Sequence, residues 1–223
     1  MKKSLKKAAV VVAALSLILV PAANAAVLKA SGATSVSGLI DKCKADYQTA
    51  TGNSFDYPGG GSGAGKSAFT NGTVDFAFSD SAHSPMIANE IHIPTVLWPV
   101  AILTNLGGSN KPVTLSTDTL AGIMAGKITN WNDPAITADN NGHQFPAIPI
   151  IPVVHAEGSG STAQFTRFLN KMYPSIWQPF LGQDADTEYY PRKGQAIAQS
   201  GSDQVINFLT SKAANGAIGY DEY

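Results

Sequence analysis

Short apolar segments alternate with amphipathic segments along the first part of the chain, and this alternation constrains the fold more than any other feature. The sequence predicts strands at 27–31, 54–58 and 73–80, separated by helices at 35–50 and 62–72. Strands separated by helices pair in parallel, because each helix carries the chain back along the sheet before the next strand begins. We therefore expect an α/β protein with parallel-rich sheets flanked by helices.

The remaining sequence continues this pattern after a long apolar segment, "IPTVLWPVAILTNL" (93–106). This segment is predicted to be a strand region that crosses between two lobes, because its length and its two prolines do not suit a single central strand. Asp133 and Pro134 predict a turn. Further helices are predicted at 116–127, 158–172 and 202–216, and further strands at 149–157 and 217–223.

The first 25 residues have the parts of a secretory signal peptide. The basic segment "MKKSLKK" precedes a 13-residue apolar segment, and a small-x-small sequence that ends at Ala25 predicts cleavage there. The apolar segment is shorter than the roughly 20 residues that a membrane span requires. No cysteine follows the cleavage position, so we expect a periplasmic or secreted protein without a lipid anchor.

The charge of the mature chain argues against several partners. Removing residues 1–25 takes away four Lys and no acidic residue, which leaves 11 basic and 16 acidic residues and a formal charge of −5. A mildly acidic protein lacks the basic surface that nucleic acids and anionic membranes attract, so neither partner is predicted. A small anion remains possible as a ligand, since backbone N–H groups bind anions without any net charge.

Cys43 is the single cysteine of the chain. It shares a helical spacing with Leu39, Ile40 and Tyr47, which predicts a small buried thiol on the inner face of a helix. One cysteine provides no disulfide and no cysteine-based zinc site, so the fold has to depend on its apolar core.

The segment "GGGSGAGKS" (59–67) matches the phosphate-cradling pattern of nucleotidases. Nucleotide hydrolysis also needs an acidic strand end for Mg²⁺, and Asp75 precedes its apolar strand instead of ending it. An exported protein meets little nucleotide, so nucleotide binding is not predicted. What remains is a small-residue turn that opens a helix and exposes amides to an anion.

Loops of this kind occur three times, at 31–35, 59–63 and 157–162, each between a predicted strand and a predicted helix. A carboxylate, Asp80, ends the third strand. Ligands of open α/β sheets bind at the carboxyl ends of the strands, so the four features together predict an oxyanion pocket.

Catalysis is not predicted. A secreted phosphatase would need a nucleophile with its base, or a metal cluster, and the four histidines have no ligand spacing such as H-x-x-x-H. His83 and His143 are predicted to be exposed loop residues. We therefore expect neither an enzyme, nor a metal site, nor a cofactor.

Six segments resemble, in the same order, those of the phosphate-binding proteins of ABC transporters. They are "GATS", "GGGSGAG", "VDFAFSD", "LAGIMAGKITNWNDPAI", "VVHAEGSGSTAQFTRFL" and "GAIGYDEY". The resemblance spans nearly the whole mature chain. It implies a two-lobed fold of the type 2 periplasmic binding proteins, in which inorganic phosphate binds between the lobes and a membrane permease receives it.

The resemblance also implies which groups bind phosphate: the Thr34 hydroxyl, the Ser35 amide, the Ser62 hydroxyl and the Asp80 carboxylate. On the second lobe it implies a cluster of hydroxyls and amides at Ser159, Gly160 and Ser161. An ionised carboxylate only accepts hydrogen bonds, so Asp80 pairs with an anion that carries a proton. Phosphate carries one at neutral pH and sulfate does not, so Asp80 would select phosphate.

The chain departs from the family at His155, where the family usually has Arg. Arg is always charged, whereas His is charged only near or below about pH 6.5. Two explanations stay open: His155 replaces the Arg with weaker, pH-dependent binding, or another base such as Arg167 or Arg192 serves. Glu157 stands where the family prefers Asp, which also bears on the ligand and its affinity. With the change at His155 marking altered ligand choice, the alternative function is binding of another oxyanion or a role as a surface phosphate sensor.

Family members usually continue beyond the last segment of this chain. The resemblance therefore predicts a first lobe at 26–93 that is incomplete and a second lobe at 94–215. The last strand, 216–223, can return toward the first lobe.

Overall fold

The computed structural model describes residues 26–107, 109 and 111–222, and the predicted signal peptide lies outside this part of the chain. The strands are β1 (Val27–Gly32), β2 (Ser54–Asp56), β3 (Phe76–Phe78), β4 (Val100–Asn105), β5 (Ile151–His155), β6 (Ile197–Gln199) and β7 (Ala217–Glu222). The α-helices are α1 (Ser37–Thr51), α2 (Ser62–Thr70), α3 (Thr117–Met124), α4 (Pro134–Asp139), α5 (Gly160–Met172), α6 (Pro174–Leu181) and α7 (Ser202–Leu209). Single turns of 3₁₀ helix cover Thr34–Val36 and Lys212–Ala214. None of the helices described is both long and apolar enough to cross a membrane.

The first sheet contains β2, β1 and β3 in that order, and its pairs are parallel as predicted. β1 pairs with β2 along its first half and with β3 along its second half, so Leu28 lies opposite Phe55 and Ser31 lies opposite Ala77. Parallel strands end at the same edge of a sheet. The loops that follow β1, β2 and β3 therefore meet at that edge.

The second sheet has the order β4-β7-β5-β6. The structure corrects the expectation that the last strand returns to the first lobe. β7 pairs antiparallel with β4 and parallel with β5, in the middle of the second sheet. Its residues from Ala217 to Asp221 are all buried, as is typical of a central strand that is covered on both faces. The division into lobes at 26–93 and 94–215 stays a prediction.

The long strand predicted at 93–106 is wrong in its first half, because β4 begins only at Val100. Pro94 and Pro99 have no N–H group to donate to a neighbouring strand, and this explains why pairing starts beyond them. Residues 81–99 contain no helix or strand, and Ile93 and Leu97 in this segment are exposed.

Pro134 was predicted to mark a turn, but it occupies the first turn of α4. The Asp133 carboxylate accepts the N–H of Ala135 at 2.8 Å. Pro fits a helix start because the first helical N–H has no intrahelical acceptor. Ser116 caps α3, since its hydroxyl accepts the N–H of Thr119 at 3.2 Å.

The large core surrounds the second sheet. Trp131, Trp177 and Tyr220 are fully buried there. The indole of Trp131 donates to the carbonyl of Gly216 at 2.8 Å, and the indole of Trp177 donates to the carbonyl of Ala185 at 3.0 Å. Buried indole N–H groups need such acceptors. Helices α3, α4, α5 and α6 therefore pack on one continuous apolar cluster, and α7 packs on a second, smaller cluster of the same sheet.

The prediction of a buried thiol is wrong, because Cys43 is exposed. In α1 the buried residue is Ile40, while Leu39 is 41% exposed. Helical periodicity shows which residues share a face of α1, but no element of the described chain covers the part of that face where Cys43 lies.

Candidate functional site

Asp80 lies at the edge where the loops of the first sheet meet. Its Oδ1 accepts a hydrogen bond from the Ser35 hydroxyl at 2.8 Å, and its Oδ2 accepts one from the Ser62 hydroxyl at 3.3 Å. The Ser62 hydroxyl also accepts the backbone N–H of Asp80 at 3.1 Å. Two strand-to-helix connections of the first sheet and the segment that follows β3 thus converge on one carboxyl group.

Burial raises the pKa of the Asp80 carboxyl above its ordinary value. The hydrogen bonds from Ser35 and Ser62 and the charge of His155 act in the opposite direction, and the charge of Asp221 adds to the effect of burial. The rise in pKa means that Asp80 holds a proton more readily than an exposed aspartate does.

The amino-terminal end of α5 lies directly against this group. A Cβ atom at Gly160 would lie 2.6 Å from the Asp80 Cβ and 2.6 Å from the Ser62 hydroxyl oxygen. A side chain larger than hydrogen is therefore excluded unless the two loops move apart. Ser159 caps α5, since its hydroxyl accepts the N–H of Thr162 at 3.2 Å.

Further contacts join the two sides. The N–H of Gly63 donates to the carbonyl of Gly158 at 2.8 Å. The Thr34 hydroxyl oxygen accepts the N–H of Ser202 at 3.1 Å, and the two hydroxyl oxygens lie 3.2 Å apart. The loops at 31–35, 59–63 and 157–162, which the sequence predicted to share a pocket, are in contact with one another.

Glu222, at the end of β7, was missed by the sequence reasoning. Its carboxyl accepts hydrogen bonds from the hydroxyls of Ser161 and Ser202, the latter at 3.2 Å. Burial, the hydrogen bond and charge of Asp221 and the charge of Asp80 raise the pKa of Glu222 to about 9. Glu222 therefore holds a proton more readily than an exposed glutamate does, and in its protonated form it can donate as well as accept.

Ser202 was also missed, although a signal for it exists. It opens α7 directly after Gly201 and β6, so "QSGSD" is a fourth small-residue loop between a strand and a helix. The sequence contained no comparable signal for Glu222, because its position depends on the place of β7 in the sheet.

His155 is 2% exposed and lies between two acids. Its Nδ1 is 2.8 Å from Glu157 Oε1, and its Nε2 is 3.7 Å from Asp221 Oδ1 without a hydrogen-bond partner in the described chain. Burial opposes ionisation of Glu157, but the His155 hydrogen bond holds its pKa below the ordinary value. Of the two alternative bases, Arg167 pairs with Asp186 at 3.1 Å, whereas Arg192 donates to the carbonyl of Ala156, the residue between His155 and Glu157.

Lys66, the lysine of the phosphate-cradling pattern, pairs with Glu188 and donates to the Ser81 hydroxyl at 3.0 Å. Its ammonium group thus joins α2 to the loop after α6. In a nucleotide-binding loop the lysine has to reach the phosphates, whereas here its charge is matched by a carboxylate.

The arrangement offers hydroxyls, helix-end amides and two carboxyl groups whose pKa values are raised. Hydroxyls and amides donate to any oxyanion, whereas a carboxylate in its ionised form accepts only from an anion that itself carries a proton.

Residues 19–223 match the PBP superfamily domain, and the chain belongs to that superfamily. Among curated proteins it is similar to the phosphate-binding protein PstS of Xylella fastidiosa, with 30% identity over 87% of this chain and 53% of that protein. It is similar also to the phosphate-binding protein PstS 3 of Mycobacterium leprae, with 32% identity over 88% of this chain and 53% of that protein. The chain thus spans about half the length of these relatives.

Two solved structures share the fold. A Clostridium perfringens protein crystallised with bound phosphate aligns with a TM-score of 0.60 at 21% identity, over 88% of this chain and 70% of that one. An ABC-type phosphate transport receptor from Vibrio cholerae aligns with a TM-score of 0.55 at 22% identity, over 87% of this chain and 70% of that one. The predicted α/β fold of the type 2 periplasmic binding proteins is confirmed.

Proposed function

We propose that this chain is the binding part of an extracytoplasmic protein that captures inorganic phosphate for an ABC importer. One observation carries the proposal: loops from both sheets converge on Asp80, with Ser35 and Ser62 on one side and the first residue of α5, Gly160, on the other. The names of the relatives in Xylella and Mycobacterium support phosphate as the ligand.

The donors of the proposed site come mainly from α5 and the first loops. The first N–H groups of a helix have no intrahelical acceptor, and the positive end of the helix dipole favours an anion there. In α5 these are the N–H groups of Gly160 and Ser161. The Thr34 and Ser62 hydroxyls complete the set from the other side.

Asp80 supplies the proposed specificity. Phosphate at neutral pH carries a proton and donates a hydrogen bond to the Asp80 carboxylate. Sulfate carries no proton, so it would place an unpaired negative charge against the carboxylate. Ser161 and Ser202 hydrogen-bond to Glu222, so phosphate that binds Ser161 displaces this carboxyl.

Binding without chemical change of the ligand is the proposed activity. The mature protein would be periplasmic or secreted, and a membrane permease would receive phosphate from it; nucleotides and nucleic acids have no part in this function. The position of His155 between two acids favours an indirect effect of its charge on the ligand instead of direct contact. Because His155 stands where the family usually has Arg, the same position also supports the alternative function. In that case the chain is a family-like module that binds another oxyanion or senses phosphate at the surface.

The proposal is tested by calorimetric titration with phosphate and sulfate at pH 7. We expect phosphate to bind at least about 100-fold more tightly than sulfate, since like charges that meet at a binding site cost several kcal/mol. Asp80→Asn should weaken phosphate binding and bring the affinities for phosphate and sulfate to within about tenfold of each other.

Asp75→Asn is the matched control, because it makes the same change at an exposed residue on the same strand approach, where the carboxylate accepts the Lys29 N–H at 2.7 Å. Its anion selectivity should equal that of the wild type. Equal binding of both anions by the wild type would contradict phosphate specificity, and tight sulfate binding alone would favour the alternative oxyanion.

A further inference from the structure

Three side chains with metal-binding atoms meet in the segment between β3 and β4. His83 Nδ1 lies 2.6 Å from Glu90 Oε1, and His92 Nε2 lies 2.8 Å from the same oxygen. All the ligating atoms lie within 4.8 Å of one another. The sequence reasoning missed this cluster because the three residues lie in a segment without helix or strand, where ligand spacing follows no fixed period.

The position of the cluster allows a cation to enter. His83, Glu90 and His92 line one end of a cavity of about 500 Å³, which also reaches Lys66 and Asp80. The carboxyl of Glu90 is only 7% exposed, whereas the ring of His92 is 36% exposed. A metal ion can therefore reach the three ligand atoms from the cavity side without unfolding the segment.

The contacts around His83 allow its Nδ1 to act as a ligand. His83 Nε2 lies 3.4 Å from the Thr70 hydroxyl oxygen, and that hydroxyl donates its own proton to the Lys66 carbonyl at 2.8 Å. Thr70 can thus accept from Nε2–H. In the neutral tautomer with the proton on Nε2, the lone pair of Nδ1 points toward Glu90 Oε1, and a cation between the two atoms can bind both.

The ligand set and its support match zinc chemistry. Two imidazoles and one carboxylate form a three-ligand set that leaves the fourth tetrahedral position open, with Zn–N near 2.0–2.1 Å and Zn–O near 2.0–2.2 Å. Nitrogen and oxygen atoms on a common zinc ion lie roughly 3 Å or more apart at these bond lengths, so the ligands need only small shifts. Glu90 Oε2 accepts the N–H of Ile87 at 3.1 Å, which orients the carboxylate as outer-shell bonds do in metal sites.

We propose that His83, Glu90 and His92 bind a divalent transition-metal cation, Zn²⁺ in the first place, and that the ion fixes the segment 83–92 beside the cavity. The fourth position of the metal faces the cavity and is open to water.

The test uses the mature chain without an affinity tag, treated with a chelator and then titrated with Zn²⁺ and with Co²⁺. We expect one equivalent of Zn²⁺ to bind, and one equivalent of Co²⁺ to give the visible absorption of a four-coordinate site. His92→Gln and Glu90→Gln should each weaken Zn²⁺ binding by at least about 10- to 100-fold, the range already seen for loss of outer-shell partners.

His143→Gln is the matched control, since it removes one histidine that packs edge-on against Phe145, far along the chain from the cluster. Its Zn²⁺ affinity should equal that of the wild type. Circular dichroism and phosphate titration check that each variant is folded; His92 is the preferred position because its ring is the most exposed of the three. The proposal is overturned if the wild type binds no Zn²⁺ tightly, or if the His92 and Glu90 variants bind it as the wild type does.

Discussion

Around the first sheet the cluster of buried apolar side chains is small, namely Ala30, Val36, Ile40 and Tyr57, and the phenylalanines packed against it are only partly buried. Around the second sheet a continuous cluster buries Trp131, Trp177 and Tyr220 completely. Both sheets present small-residue loops to the candidate site, yet only the second holds its loops on a large core. Similar binding loops therefore do not require similar support, and the stability of the two halves should differ.

The largest expected effect tests this difference directly. Trp131→Ala removes a fully buried indole and its hydrogen bond to Gly216, and should lower the free energy of unfolding by about 3 to 5 kcal/mol. Phe76→Ala, the matched truncation of a partly buried aromatic on the first sheet, should cost only about 1 to 1.5 kcal/mol, since part of the ring is already in water. Urea denaturation measures both values. Equal costs would contradict the comparison.

The second prediction concerns one partly buried acid from each half, Asp80 and Glu222. Both have raised pKa values in the folded state, and that of Glu222 is about 9 against an ordinary 4.5. Between these two values the folded protein binds a proton at Glu222 that the unfolded chain does not. The free energy of unfolding should therefore fall as the pH rises through this window.

From pH 6 to pH 8 we expect a loss of roughly 1 to 3 kcal/mol, bounded by 1.36 kcal/mol per group and pH unit. Calorimetry should show it as a fall of several degrees in melting temperature, at about 2–4 °C per kcal/mol. Glu222→Gln cannot ionise and should flatten the dependence, while Asp80→Asn should flatten it less. A Glu222→Gln profile as steep as that of the wild type would disprove the role of this acid.

The same contrast explains what the sequence could predict. The alternation of strands and helices predicted the parallel first sheet and the three loops, because local pattern and turn chemistry determine them. Asp80 follows from its place at the end of a strand. Glu222 could not be predicted, since it reaches the site only because β7 lies between β4 and β5. Local sequence patterns do not determine this long-range strand pairing.

Helical periodicity alone does not determine whether a residue is buried. The spacing around Cys43 correctly grouped the residues on one helix face, yet burial of the thiol required a covering element that the described chain does not place there. The cluster of His83, Glu90 and His92 was missed for the opposite reason, because a segment without regular structure brings residues together at spacings that no motif describes.

The smallest predicted effect comes from adding one methyl group where the two halves meet. Gly160→Ala adds a Cβ atom 2.6 Å from Asp80 Cβ and from the Ser62 hydroxyl oxygen, so it has to push the loops of the two halves apart. We expect a loss of about 1 to 2 kcal/mol in the free energy of unfolding, in the lower part of the range for overpacking, and weaker phosphate binding. Gly38→Ala makes the same change in α1, where nothing lies within 4 Å of the new atom, and should raise stability by about 0.5 to 1 kcal/mol. If Gly160→Ala left both stability and phosphate affinity unchanged, α5 would not need to approach Asp80 this closely, and the convergence of the two halves on that carboxyl would lose its functional meaning.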